Sequence, residues 1–231
     1  MFDLYIANKN YSSWSLRPWV LMKALNIPFN EHVMPFEGGI GESYATFRRF
    51  SPSGLVPCLV DPDNEVAAWD SLAIVEYLAE TYPAVWPADK AARAWTRCAS
   101  AEMHSGFSAL RNECSMNCGV RVALKERSVG LNSNLARLDS LWQEGLERFG
   151  GPFLAGEQLS AVDAFYAPVA FRVQTYSLPL SEASQAYVQH LLAHPAMEEW
   201  YQAALAETWR EPMHEQDTIK NAALLNDYRA V

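Results

Sequence analysis

The sequence has few basic residues, because 18 Lys and Arg stand against 27 Asp and Glu, which leaves a net charge of −9. Nucleic-acid binding needs clustered basic side chains to neutralise phosphates, so this balance argues against a nucleic-acid partner. No apolar run approaches the roughly 20 residues of a membrane-spanning helix, and we expect no membrane partner. The first residues also show no basic segment followed by an apolar one. We therefore expect no secretory signal and a cytoplasmic protein.

Cysteine is scarce, and none of the four cysteines forms a C-x-x-C pair or a spacing typical of zinc sites. We interpret them as idle thiols in a reducing compartment. His190 and His194 have the spacing of two metal ligands on a helix, but Leu191 stands where an H-E-x-x-H motif needs its glutamate. We expect no metal site, and neither a glycine-rich phosphate loop nor a Ser-His-Asp arrangement is recognisable.

What the chain does contain is ample apolar material for a core, since half of its residues are hydrophobic. In the first third, short β-rich runs alternate with segments of helical periodicity. Strands are predicted at 2–7, 29–34, 56–60 and 65–69, with helices starting at Ser12 or Ser13 and after Asp70-Ser71. The order β-α-β-α-β-β-α predicts an α/β domain with a mixed four-stranded sheet over residues 1–82.

Most of the remaining chain is predicted to be helical. Residues 83–93 are rich in Pro, Ala and Asp and are predicted to be a linker, followed by an all-α domain over 94–231. Helical stripes of apolar residues run through 131–149 and 162–173. Ser160 and Asp163 have the spacing of a capping box, which we interpret as a structural device at the start of the second of these helices.

Three short motifs in the first third indicate chemistry. Tyr11-Ser12-Ser13-Trp14-Ser15 places hydroxyls and free backbone N–H groups at a strand-to-helix junction. Val56-Pro57 is an X-Pro bond that can be cis and expose a backbone edge. Asp70-Ser71 sets a carboxylate and a hydroxyl at the start of another helix. Alone, each motif also fits an ordinary helix cap or a trans proline. Together they outline a site for a small acidic thiol peptide.

With these motifs, the chain resembles the cytosolic glutathione transferases over essentially its whole length, and the zeta class most. Ser12-Ser13-Trp14-Ser15 corresponds to the Ser-Ser-Cys-Ser segment of that class, and the segment from Asp70 to Leu78 is similar to the one after its fourth strand. Ser160-Ala161-Val162-Asp163 resembles the capping box of the family's second domain. The resemblance implies a thioredoxin-like domain, an all-α domain, a homodimer, and glutathione as co-substrate with a small electrophile.

The resemblance also implies roles for the motif residues. Ser12 would be the catalytic hydroxyl, with Ser13 and Trp14 close to the sulfur. Val56, next to a cis Pro57, would pair its backbone with the cysteinyl unit, and Asp70 with Ser71 would bind the γ-glutamyl end. Lowering a thiol pKa by two units needs roughly 2.7 kcal/mol. A helix N-terminus contributes up to ~2 kcal/mol and a charged hydrogen bond about 1.5–3 kcal/mol, so we expect no additional base.

The resemblance further implies that the first helix of the second domain forms a wall of the electrophile pocket, for which the candidate residues are His104, Ser108, Arg111 and Asn112. Their i, i+4, i+7, i+8 spacing places them on one face if the segment is a single helix. A histidine and an arginine there suit an acidic or carbonyl substrate. A hydrogen-bonded or dimer-facing helix surface is the alternative.

Two departures from the zeta pattern keep the function open. Trp14 replaces the class cysteine, and this replacement counts against the maleylacetoacetate isomerase activity of that class. Glu42 stands where a glutamine lies near the glycine end of glutathione, so Arg48 or Arg49 would have to serve there. We predict a glutathione transferase. The alternatives are a glutathione-dependent cis–trans isomerase and a non-catalytic glutathione-binding or interaction module.

Overall fold

A computed structural model describes residues 1–37 and 40–230, without the side chains of 40–42, so the expectation about Glu42 lies outside the described residues. The first third forms a four-stranded sheet in the order β2-β1-β3-β4, with β1 and β2 parallel and the other neighbours antiparallel. The strands are β1 Phe2–Ile6, β2 Phe29–Val33, β3 Cys58–Asp61 and β4 Val66–Trp69, and the helices are α1 Ser13–Ala24, α2 Ile40–Phe47 and α3 Ser71–Ala79. The predicted α/β architecture is confirmed.

The N-terminal core forms where α1 and α3 cover the sheet. Leu16, Trp19 and Val20 of α1 are completely buried. Pro18 is the sixth residue of that helix, not part of its first turn, so α1 lacks the i→i−4 hydrogen bond that this position would otherwise donate. Ile74 and Val75 of α3 are buried as well. This packing fixes the first turns of both helices relative to the sheet, and those turns carry two of the three sequence motifs.

The second part of the chain is helical, as predicted. Its helices are α4 Lys90–Ser105, α5 Ser108–Glu113, α6 Val129–Phe149, α7 Ala161–Tyr176, α8 Glu182–Leu192, α9 Pro195–Ala206 and α10 Pro212–Ile219. No helix in the described ranges is long and apolar enough to cross a membrane. Helix α4 begins at Lys90, inside the segment 83–93 predicted to be a linker. The division of the chain into domains remains a prediction.

One short sheet was not predicted in this helical part. Strand β5, Val120–Leu124, pairs antiparallel with β6, Ala222–Asp227. Val120 and Val122 are buried while Arg121 between them is partly exposed, which is the alternation of a half-buried strand. The pairing ties the C-terminal segment back onto the helices.

Helix α7 is buried along nearly its whole length and packs against α1, which joins the two parts of the chain. Asp163 at its start accepts hydrogen bonds from the N–H groups of Ser160 (2.9 Å) and Leu154 (3.0 Å) and from the Tyr187 hydroxyl (3.0 Å). Burial raises the pKa of this carboxyl to about 6, against the opposing effect of these donors. The predicted structural role of Ser160 and Asp163 is confirmed.

The single helix predicted through His104 and Asn112 is wrong. Helix α4 ends at Ser105, Phe107 adopts a left-handed conformation with φ of 53°, and α5 begins at Ser108. The break depends on glycine at position 106, because a Cβ there would lie only 2.7 Å from the backbone oxygen of Glu102. The four predicted pocket residues therefore do not share one helix face.

Candidate active site

A cavity of about 810 Å³, called here the main cavity, lies between the N-terminal α/β part and the helices. All three N-terminal motifs reach it, although they are far apart in sequence. Its lining includes Ser12, Ser13, Trp14, Val56, Pro57, Asp70, Ser71, Arg111 and Asn112. Nine of the eleven predicted site residues are thus brought together, and His104 and Ser108 are not among them.

The first motif supplies a hydroxyl pair and a helix N-terminus. The Ser12 side chain is buried and its hydroxyl donates to Ser15 Oγ at 2.7 Å, while Ser15 Oγ accepts the Ala7 N–H at 3.3 Å. Within the described chain, the N–H groups of Trp14 and Ser15 have no hydrogen-bond acceptor. This end of α1 therefore offers free donors to an anion in the cavity.

The second motif supplies an unused backbone edge. The Val56-Pro57 peptide bond is cis. Strand β3 starts pairing with β4 only at Cys58, and the N–H and C=O of Val56 have no partner in the part of the chain that the structure describes. An extended peptide in the main cavity could therefore form backbone hydrogen bonds with Val56.

The third motif forms the start of α3. Asp70 caps the helix by accepting the Leu72 N–H at 2.8 Å and has a positive φ of 74°. Ser71 is 1% exposed, and its Oγ has no hydrogen-bond partner among the described residues. A buried hydroxyl without a partner is unfavourable in the protein alone, and a ligand in the cavity could satisfy it.

Trp14 packs on cationic side chains. The Arg17 guanidinium lies 3.9 Å from the centre of the Trp14 ring, and that of Arg111 lies 5.4 Å from it, both within cation–π range. Arg17 is completely buried, and its Nε and Nη1 have no hydrogen-bond partner in the described part of the chain. Burial, followed by the charges of Arg172 and Arg111, lowers the pKa of Arg17 to about 9.

Arg172 on α7 reaches the main cavity from the helical side. Its Nε donates to the Cys114 carbonyl at 2.7 Å, whereas Nη1 is buried without a partner in the described ranges. Burial lowers the pKa of Arg172 to about 10, so the side chain remains charged at neutral pH. Three arginines are called here the arginine cluster: Arg111 and Arg172, which line the cavity, and Arg17, which is buried against the cavity residue Trp14.

The remaining two predicted residues lie outside the main cavity. His104 lines a neighbouring groove, with its Nε2 at 3.6 Å from Asp70 Oδ2 and its ring 5.3 Å from that of Trp14. Ser108 is exposed at the start of α5. Arg48 donates to the Pro52 carbonyl and does not line the cavity.

The C-terminal segment closes another side of the cavity, and sequence reasoning missed it. His214 and Asp217 of α10 contribute to the lining. The Tyr11 hydroxyl donates to Glu215 Oε1 at 2.6 Å, and burial together with this contact raises the pKa of the phenol. The Tyr11 hydroxyl is therefore engaged with α10 and not available to a ligand.

His190 and His194 are the two histidines with metal-ligand spacing. In the residues described, no three His, Cys, Asp or Glu side chains come together in a way that could hold a metal ion. His194, one of the two histidines with metal-ligand spacing, instead caps α9 through its Nδ1, which accepts the Ala196 N–H at 3.2 Å.

Comparison with known proteins agrees with the fold and the motifs. Residues 11–81 match the family model of the glutathione S-transferase N-terminal domain, and residues 91–203 match that of the C-terminal domain. The chain therefore belongs to the glutathione S-transferase family. The resemblance predicted from the motifs is confirmed, and so is the prediction of an enzyme of this family.

The similar proteins include two that are named probable maleylacetoacetate isomerases. A probable maleylacetoacetate isomerase of Vibrio cholerae is 29% identical over 150 residues, which cover 63% of this chain and 68% of that protein. One of Caenorhabditis elegans is 26% identical over 187 residues, covering 77% and 81%. A Burkholderia glutathione transferase homologue, solved with bound glutathione, has the same fold at 22% identity and a TM-score of 0.63, covering 88% of this chain and 97% of that one.

Proposed function

We propose that this enzyme binds glutathione in the main cavity and activates its thiol for attack on a small electrophile. The observation that carries the proposal is the buried, unpartnered Ser71 Oγ. It lies in the same cavity as the free backbone edge of Val56 and the open N-terminus of α1. These are the donors and acceptors that an acidic, thiol-containing tripeptide requires.

The γ-glutamyl end of glutathione fits the start of α3. Its carboxylate would accept a hydrogen bond from Ser71 Oγ and benefit from the positive end of the helix. The ammonium group on the same carbon would face Asp70, whose carboxylate is about half exposed. With this end fixed, the cysteinyl backbone can pair with Val56, and the sulfur then points toward the N-terminus of α1.

Thiolate stabilisation follows from the hydroxyl pair at α1. When a thiolate is present, the Ser12 hydroxyl can turn to donate to sulfur, while Ser15 donates to Ser12 Oγ in its place. Ser13 is the alternative donor because it lines the same cavity and lies at the same helix terminus. We expect Ser12→Ala to raise the pKa of bound glutathione by about one unit or more, and Ser13→Ala to leave it near the wild-type value.

Calorimetric titration tests the proposal directly. Glutathione should bind saturably, and cysteinylglycine, which lacks the γ-glutamyl group, should bind at least about tenfold more weakly. S-methylglutathione separates recognition of the peptide from recognition of the thiol and should retain most of the affinity. Absence of glutathione binding at millimolar concentration would refute the proposal, as would equal affinity for the two thiols.

Glutathione-dependent isomerisation of an acidic substrate is the second candidate, and the arginine cluster favours it. Arg111 and Arg172 line the main cavity, and guanidinium groups suit a substrate that carries carboxylates. In an isomerase the glutathione adds and leaves, so free glutathione stays constant during turnover. In a transferase it is consumed one for one with the electrophile. Thiol titration during turnover therefore distinguishes the two reactions, and absence of any turnover would favour the non-catalytic alternative.

The proposed assembly is a homodimer, as the family resemblance implies. Light scattering of the purified protein at several concentrations would test this. A mass near the 25.9 kDa of one chain would contradict it.

A further inference from the structure

The segment after residue 203 lies beyond the matched family models, yet it forms part of the main cavity. Helix α10 is fixed there by Glu215, which accepts hydrogen bonds from Tyr11 and from the Arg229 side chain (Nη2 to Oε2, 2.9 Å). Asn117 donates to the same carboxylate at 3.2 Å. The helix therefore has a defined position above the residue that precedes Ser12.

His214 is held in this helix by two aromatic rings. Its ring stacks on Tyr11, with centroids 5.1 Å apart and planes 25° apart, and on Phe36, at 4.8 Å and 24°. The side chain nevertheless remains 34% exposed and lines the main cavity. Stacking thus restricts the orientation of the imidazole without closing it off from a ligand.

A carboxylate fixes the protonation pattern of this imidazole. His214 Nδ1 lies 2.7 Å from Glu211 Oε2, and the Glu211 side chain is only 4% exposed. Burial disfavours the charged carboxyl, but the backbone N–H and side chain of His214 outweigh it and lower the pKa of Glu211. An ionised Glu211 accepts the proton of Nδ1, so Nε2 of the neutral ring carries the lone pair. In the part of the chain described, Nε2 has no hydrogen-bond partner.

We propose that His214 Nε2 accepts the thiol proton when glutathione binds, with Glu211 as the positioning residue. The inference rests on the proposed function, and it adds a proton acceptor where the sequence predicted no additional base. In this step the S–H bond breaks and an N–H bond forms at Nε2, giving a thiolate beside an imidazolium that Glu211 stabilises. If the electrophile is an unsaturated carbonyl compound, the proton returns to the adduct. If a leaving group departs as an anion, the proton passes to solvent.

Other charged groups around His214 do not compete for this role. Besides Glu211, these groups are Glu215 and Asp217 on α10 itself. Tyr11 and Arg229 belong to the segments that pack against α10. Arg229 and Tyr11 both donate hydrogen bonds to Glu215 and keep its pKa low despite its burial, and the Tyr11 phenol keeps its proton in that contact. Asp217 is exposed at the cavity edge.

Titration of the bound thiol by ultraviolet difference absorption tests the step without any electrophile. His214→Gln should raise the pH midpoint of thiolate formation by about one unit or more and lower kcat/KM roughly 10²-fold, the lower range for a general base. Glu211→Gln should shift the midpoint in the same direction by less. Gln216→Ala, an exposed change on the same helix, is the matched control and should match the wild type.

Two further measurements separate a chemical role from a structural one. His214→Phe keeps an aromatic ring between Tyr11 and Phe36 but cannot take a proton, so it should reproduce the shift of the glutamine variant while glutathione still binds. In His214→Ala, added imidazole should restore thiolate formation in proportion to its concentration. A wild-type midpoint in the glutamine or phenylalanine variant, with glutathione still bound, would overturn the inference and leave the proposed function intact. If the wild-type enzyme does not bind glutathione at all, the proposed function itself is refuted.

Discussion

Replacing Ser71 by alanine should affect stability and binding in opposite directions. In the protein without ligand, the Ser71 hydroxyl is buried and forms no hydrogen bond within the described chain. Leaving such a group unsatisfied costs about 1–3 kcal/mol, so removing it should raise the free energy of unfolding. A gain of about 1 kcal/mol corresponds to a rise in Tm of roughly 2–4 °C for a chain of this size.

Glutathione binding by the same variant should weaken. If Ser71 Oγ donates to the γ-glutamyl carboxylate, its loss removes a hydrogen bond to a charged group, worth about 1.5–3 kcal/mol. At about 1.4 kcal/mol for each factor of ten, Kd should rise roughly 10- to 150-fold. Calorimetry gives the Kd, and urea unfolding of the same preparation gives the stability.

Ser100 provides the control for this experiment. It is also completely buried with an unpartnered Oγ, but it lies in α4 and does not line the main cavity. Ser100→Ala should therefore share the gain in stability and leave glutathione affinity unchanged. The reasoning would be refuted if Ser71→Ala lost stability, which would mean that the hydroxyl already has a partner. It would also be refuted if both variants bound glutathione equally well.

Three other substitutions have effects that follow from local contacts. Because burial raises the pKa of Asp163 to about 6, the folded state holds this proton more tightly than the unfolded one. The free energy of unfolding should therefore fall as pH rises from about 4 to 6, and Asp163→Asn should remove that slope in urea titrations at each pH. Arg17→Met should raise the free energy of unfolding by roughly 1–4 kcal/mol, as replacement of other buried charges by apolar groups does. If urea unfolding instead shows a fall in that free energy, the guanidinium is well compensated in the folded protein. Gly106→Ala should lower Tm, since its Cβ would meet the Glu102 carbonyl at 2.7 Å, and an unchanged Tm would show that the α4–α5 break can relax.

Local patterns were enough to predict most of the fold. The spacing of apolar residues predicted the sheet strands and the buried stripe of α6. The serines that precede α1 predicted its start. The β5–β6 pair could not be found this way, because Val120 pairs with Asp227 across more than a hundred residues. The break at Gly106 depends on a backbone contact that periodicity does not report.

The candidate site was predicted where it is built from short motifs. Those motifs mark helix starts and an X-Pro bond, whose local geometry is strongly constrained by sequence. Arg17 and Arg172 were missed, although a charged residue inside an otherwise apolar helix was a visible signal in both cases. His214 carried no such signal, because its position in the cavity depends on how the C-terminal segment folds back.

The arginine cluster bears on the thiol as well as on the second substrate. Buried charges are weakly screened, so the guanidinium groups of the arginine cluster would stabilise an anion that forms in the main cavity, including a thiolate. Ser12, His214 and the cluster would then act on one sulfur atom, and their contributions should not add. Where the cluster already favours the thiolate, removal of Ser12 alone should shift the thiol pKa by about one unit, the lower end of what a single hydrogen bond to a charged group gives. A double variant of Ser12 and His214 that shifts it by more than the sum of the single variants would show that each group compensates for the other. Additive shifts would mean that Ser12 and His214 act on the thiol independently of each other.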